Sequence, residues 1–156
     1  MEAAVSRPYA ADGAPTRDAS LWARLAEEAL VELAAGETIA AIGFTGQMHA
    51  LVALDGGGRL AAPVRLWLDM DGAADLAALV AAYPGSLAAE TGNIPLPDFT
   101  LAKWLWARRL DPGLSQRVSG LYCAKDYVRA ALDPSAPFVV DRNEATGMQV
   151  FDPFAD

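Results

Sequence analysis

Thr38-Ile39-Ala40-Ala41-Ile42-Gly43-Phe44-Thr45-Gly46-Gln47-Met48-His49-Ala50-Leu51-Val52-Ala53-Leu54 is the stretch on which the fold turns. Residues 38–44 and 50–54 are short apolar runs of β type, and the polar segment 45–49 interrupts them. Apolar runs of this length bounded by turn residues read as buried strands. A polar loop between two such strands lies at a strand end, where α/β sheets place ligands. Working outward, Asp55-Gly56-Gly57-Gly58-Arg59 is a glycine-rich hairpin turn, and Val64-Arg65-Leu66-Trp67 reads as a third strand.

Helices surround these strands. Trp22, Leu25, Ala26, Ala29, Leu30 and Leu33 recur at helical spacing, with Asp18 or Ser20 as cap and Gly36 as stop. Asp69 or Asp71 can cap a second helix that runs to Tyr83 and ends at Pro84-Gly85. Ser86–Glu90 can add one helical turn. Thr100 is an N-cap for Leu101–Leu110, Asp111-Pro112 opens a short helix, and Lys125–Leu132 is helical, preceded by a strand at Leu121–Cys123. Phe138–Val140 and Met148–Phe151 are apolar runs on either side of a polar turn. Residues 1–17, with Pro8, Gly13 and Pro15 and no periodicity, read as poorly structured. Helices interleaved with strands give an α/β class.

Composition excludes several functions. The chain has 156 residues, with 12 Lys plus Arg against 20 Asp plus Glu, a net charge of −8. A nucleic-acid footprint needs a basic face, so no nucleic acid is expected as a partner. The one cysteine, Cys123, allows no intrachain disulfide, and the cytoplasm is the expected compartment. No stretch reaches the roughly 20 apolar residues of a membrane span. Dinucleotide, Walker and GxSxG motifs are missing, as is any Cys/His cluster for a metal.

Each remaining motif has a plain structural reading beside a chemical one. Gln47 and His49 can hydrogen-bond a polyol and Met48 can pack on its apolar face; a turn with one satisfied histidine reads equally well. Trp67 with Asp69 and Asp71 suits a sugar platform, or a core tryptophan before a helix cap. Phe99–Trp106 is explained by an apolar helix face alone. Glu144 can act as a general base or sit in a solvated turn.

Their order says more than any one of them. Gly46-Gln47-Met48-His49 is followed by Leu66-Trp67-x-Asp69, Thr91-Gly92-Asn93, Phe99-Thr100-x-x-Lys103-x-x-Trp106, Lys125-Asp126-Tyr127 and Asp141-x-x-Glu144-Ala145-x-Gly147. From about Ala40 to Asp152, this succession resembles the FGGY carbohydrate kinases, on their xylulose-kinase branch. The resemblance implies an incomplete ribonuclease-H-like, actin-like ATPase domain over 18–156. It implies transfer of the ATP γ-phosphate to a sugar such as D-xylulose, with Mg²⁺. It places Met48, His49, Gln47, Trp67 and Asp69 at the sugar and Glu144 in the position of the catalytic aspartate. Glutamate there is longer by one methylene, and a misplacement of about 1 Å can cost about a hundredfold in rate. Leu68 stands where the family has Asn, and Asp71 where it has Arg. The family's opening Asp-x-Gly-Thr segment and its ATP-binding second domain have no counterpart here. The expectation is therefore a fragment carrying the sugar side, with no tight ATP or Mg²⁺ site of its own. Its partners would be a small sugar and either a separate chain supplying the missing parts or further copies of itself. The alternative is a non-catalytic remnant that binds a polyol or another protein.

Overall fold

A computed structural model describes residues 3–8 and 17–155. Residues 9–16, half of the segment expected to lack structure, lie outside the described residues, and 3–8 carry no helix or strand. The elements are α1 (Ala19–Ala34), β1 (Val52–Asp55), α2 (Ala73–Ala82), α3 (Leu87–Thr91), α4 (Thr100–Leu110), α5 (Leu114–Arg117), β2 (Val118–Tyr122), α6 (Ala124–Leu132) and α7 (Arg142–Met148).

The centre is β1. Residues 50–54 are at most 1% exposed. One face sends Ala50, Val52 and Leu54 into a cluster with Ala19 and Trp22 of α1, Val64, Leu66 and Ala124. The other sends Leu51 and Ala53 against Ala107 of α4 and Leu114. Burial on both faces is why the run is apolar at every position instead of alternating. Each leucine so enclosed contributes on the order of 2 kcal/mol. β1 pairs antiparallel with β2, from Val52 opposite Tyr122 to Asp55 opposite Val118, with a bulge after Leu54. Its other edge meets Leu60 and Arg65 in single bridges.

The α/β class holds, and several local expectations do not. Residues 38–44 form no helix or strand among the described residues, and Ile39 and Ile42 are 44% and 46% exposed. A strand needs a neighbour to accept its hydrogen bonds. Both edges of β1 are taken, by β2 and by 60–65. The third strand shrinks to the bridge at Arg65, because the Leu66 N–H goes instead to the Asp69 carboxylate at 2.8 Å. That use of Asp69, together with the pairing of Asp71 with Arg65 at 3.5 Å, leaves Gly72 as the N-cap of α2, without a side-chain cap. A Cβ on Gly72 would lie 1.9 Å from the Ala102 carbonyl oxygen, so α2 crosses α4 as closely as backbones allow.

Thr100 is the first residue of α4 and not its cap. Its buried hydroxyl donates to the Ala50 carbonyl at 3.2 Å and ties α4 to the chain just before β1. β2 ends one residue earlier than expected, and Cys123 becomes the N-cap of α6. The polar segment 141–148 is a helix and not a turn between strands. Asp141 caps it by accepting the Glu144 N–H at 3.1 Å.

Candidate functional site

The loop 45–49 ends in a residue whose backbone is unusual. His49 has φ 63°. A non-glycine residue in the left-handed region costs on the order of 1 kcal/mol and persists only where its surroundings hold it. They do so here. The next carbonyl, that of Ala50, accepts both the Thr100 hydroxyl and the Cys123 thiol, the latter at 3.6 Å. The His49 ring stacks on Phe99 with centroids 4.2 Å apart. Its Nδ1 lies 3.1 Å from the Gly147 carbonyl oxygen. Gly147 leaves room for that approach, since a Cβ there would stand 2.9 Å from His49 Cε1.

Met48 and His49 thereby form one wall of a cleft of about 270 Å³, continued by Phe44, Thr45 and Gly46. Lys125 of α6 and Asp141, Asn143, Glu144 and Gly147 complete its lining. Met48 is 59% exposed, so the cleft offers a thioether surface beside an imidazole.

Electrostatically Lys125 is the hub of this lining. Lys125 Nζ lies 2.8 Å from Asp126, 2.8 Å from Asp141 and 2.9 Å from Glu144. Burial works against the Lys125 charge, but the three carboxylates outweigh it and hold its pKa above the ordinary lysine value. The bond to Lys125 in turn holds Asp141 below the usual carboxylate range. Burial pushes the Cys123 thiol far up, and the nearby Glu144 carboxylate adds to this, so Cys123 is an inert thiol. Glu144 Oε2 is engaged by Lys125, while Oε1 is enclosed with no hydrogen-bond partner among the described residues.

Cys123, Asp126 and Glu144 bring one candidate ligand atom each within 4.8 Å of one another. This donor set does not suit Mg²⁺, which demands oxygen ligands in open octahedral geometry. The thiol stays protonated and both carboxylates already bind an ammonium group.

The other residues singled out in the sequence lie apart from this cleft. Gln47 lines a second cleft, of about 320 Å³, with Trp22, Leu25 and Ala29 of α1 and Val128 of α6. Phe44, Thr45, Gly46 and Lys125 line both and form the ridge between them. Trp67 is 49% exposed and outside either wall. Asp69 spends its oxygens on Arg17, 2.5 Å away, and on the Leu66 N–H. Burial raises its pKa, but these two partners more than offset that and leave it low. Lys125, Asp141, Phe99 and Gly147 stood in the ordered motifs of the sequence but were given no role at a site. The signal that could have found Lys125 is its rarity: the chain has two lysines among twelve basic residues. For α7 the signal is the Asp-x-x-Glu spacing of a helix start.

No helix among the described residues is long and apolar enough to cross a membrane. Comparison with known proteins places the chain. The family model for the N-terminal domain of the FGGY family of carbohydrate kinases matches residues 15–153. The xylulose kinase of Escherichia coli K12 is 33% identical over 116 residues, covering 74% of this chain and 23% of that protein. The crystal structure of xylulose kinase from Rhodospirillum rubrum superposes with a TM-score of 0.72 at 26% identity, over 86% of this chain and 28% of the other. Gluconate kinase from Lactobacillus acidophilus shares the fold, with a TM-score of 0.75 at 21% identity, over 86% of this chain and 28% of the other. The chain thus spans about a quarter of the length of these relatives. Its mixed α/β architecture is that of part of a sugar kinase of the actin-like ATPase fold, and the chain belongs to the FGGY family of carbohydrate kinases, through their N-terminal domain.

Proposed function

We propose that this chain forms the sugar-side wall of an ATP-dependent kinase acting on a pentulose such as D-xylulose. The observation that carries the reading is that Met48, His49 and Glu144 line one cleft of about 270 Å³. Phosphoryl transfer asks a protein chiefly to position a hydroxyl and to stabilise charge. In this reading Met48 packs on the apolar face of the sugar and His49 hydrogen-bonds a hydroxyl. Gln47, Trp67 and Asp69 belong to the wider rim. ATP and Mg²⁺ would supply the phosphoryl group and its charge neutralisation in the whole kinase, and no residue here is assigned to holding them. Glu144 stands in the base position, and serving there requires its carboxylate to turn from Lys125 into the cleft.

Titration calorimetry of the chain with D-xylulose and other pentuloses tests this. Selective binding that Met48→Ala and His49→Ala each weaken at least tenfold supports it. Binding that neither substitution changes refutes it.

A second reading is favoured by the enclosed Glu144 Oε1. Here Glu144 is a structural partner of Lys125, and the cleft binds a polyol without transferring phosphate. Urea denaturation and D-xylulose calorimetry of the native chain and of Glu144→Gln separate the two. Unchanged stability with altered sugar affinity marks a carboxylate that serves the ligand. Lower stability at unchanged sugar affinity marks the structural role.

A further inference from the structure

The chain contains one histidine, and the structure determines which of its ring nitrogens can carry the proton. A backbone carbonyl accepts and cannot donate. With the Gly147 carbonyl 3.1 Å from His49 Nδ1, the bond exists only when Nδ1 is the donor. A neutral imidazole has one N–H, so Nε2 is then left as an acceptor. An unconstrained imidazole favours the opposite arrangement, with the proton on Nε2.

Three further features keep the ring from turning away. Phe99 stacks on one face with planes 25° apart. The left-handed backbone at His49 sets where the side chain leaves the chain. The Ala50 carbonyl is pinned from two sides, by Thr100 and Cys123. Among the described residues Nε2 has no hydrogen-bond partner and is not one of the enclosed polar atoms, while His49 lines the cleft.

We propose that the Gly147 carbonyl and the Phe99 ring fix His49 as the Nδ1–H tautomer and present Nε2 to the cleft as a pure acceptor, making Gly147 and Phe99 positioning residues for selection of a ligand that donates a hydroxyl there. The proposal rests on the sugar reading only for the identity of that ligand. A site built to accept a hydroxyl proton rejects analogues that lack it, because its own polar group is then left unpaired. Polyols with a hydroxyl at that place are therefore selected over their deoxy counterparts and over groups that only accept.

The test is a long-range ¹H–¹⁵N correlation spectrum of the labelled full chain, prepared without a histidine tag. One histidine gives one imidazole pattern. At a pH where the ring is neutral, the ligand-free chain should show Nδ1 protonated and Nε2 bare. Titration with D-xylulose should then move the Nε2 resonance selectively. Gly147→Ala should shift the tautomer toward Nε2–H and weaken D-xylulose about tenfold, with the helix itself kept or strengthened by alanine. An Nε2–H tautomer in the ligand-free chain overturns the proposal without any variant. So does a Gly147→Ala chain that folds and keeps the original tautomer. If D-xylulose fails to bind while the tautomer is Nδ1–H, the sugar reading falls and the tautomer assignment stands.

Discussion

The two lysines of this chain are both withdrawn from water, and they are held in opposite ways. Lys103, on α4, is fully buried, and its ammonium reaches one neutral partner, the Asp98 carbonyl. Burial pushes its pKa down to about 8, against the weaker pull of Asp98, Asp69 and other charges farther off. Lys125, on α6, is 15% exposed and is met by three carboxylates, which keep its pKa raised. A buried cation with one dipole to lean on strains toward neutrality. The same cation among several anions becomes the piece that holds them together. The first kind of site costs stability near neutral pH and the second organises a wall of the cleft.

The largest effect that would break this contrast is expected at Lys125. Lys125→Met leaves Asp126 and Glu144 buried without their cation and should lower stability by about 3 kcal/mol in urea denaturation. A loss comparable to that of an exposed pair would show the hub to be solvated. Adding Glu144→Gln to that variant should recover part of the loss, because the cycle then removes one of the stranded charges. Simple additivity would deny the coupling.

Lys103→Met should change stability by less than about 1.5 kcal/mol in either direction, since an apolar chain of similar volume replaces a poorly paired charge. A loss as large as that at Lys125 would mean the Asp98 bond is worth more than its surroundings indicate. The pH dependence sharpens the same point. Lys103 gives up its proton near pH 8 when folded and near 10.5 when unfolded. Between those values the unfolded chain holds the extra proton, so the Lys103 contribution to stability rises with pH. Thermal unfolding should show that rise in the native chain and lose it in Lys103→Met. The Asp141 carboxyl, also held low in the folded chain, gives a slope of the same sign in the acid range: its contribution is present above the ordinary aspartate value of 3.8 and lost as pH falls below it. The smallest effect serves as the solvated control. Arg24 and Glu28 pair at 3.0 Å on the open face of α1, and Arg24→Ala should cost about 0.5 kcal/mol or less, vanishing in high salt.

The ends of α1 and burial on β1 were legible because local chemistry decides them. Asp18 accepts two N–H bonds at the start of α1, and positive φ at Ala35 and Gly36 ends it. Residues 50–54 needed only their apolar run. Long-range pairing was not legible. The run at 38–44 has strand composition, yet which edges of β1 are already filled depends on residues 60–65 and 118–122. In the candidate site, the Met48-His49 loop and Glu144 stood out by type and order. Their shared cleft is consistent with that reading, and the role of each awaits the assays above. The Lys125 hub did not stand out, because its partners are one, sixteen and nineteen positions away in sequence. The burial of Lys103 was not legible either: a lysine on an apolar helix face looks like a solvent anchor until the face is known to be covered.

The tight crossing at Gly72 has a reach beyond its own neighbourhood. Ala102 sits between Thr100 and Lys103 on α4, one turn from Phe99. Any side chain at 72 would lever that helix outward, and with it the ring under His49 and the hydroxyl on Ala50. A mutational survey scored by ligand capture would therefore mark position 72 as though it touched the ligand. Only a stability readout taken alongside would reveal it as a remote spacer.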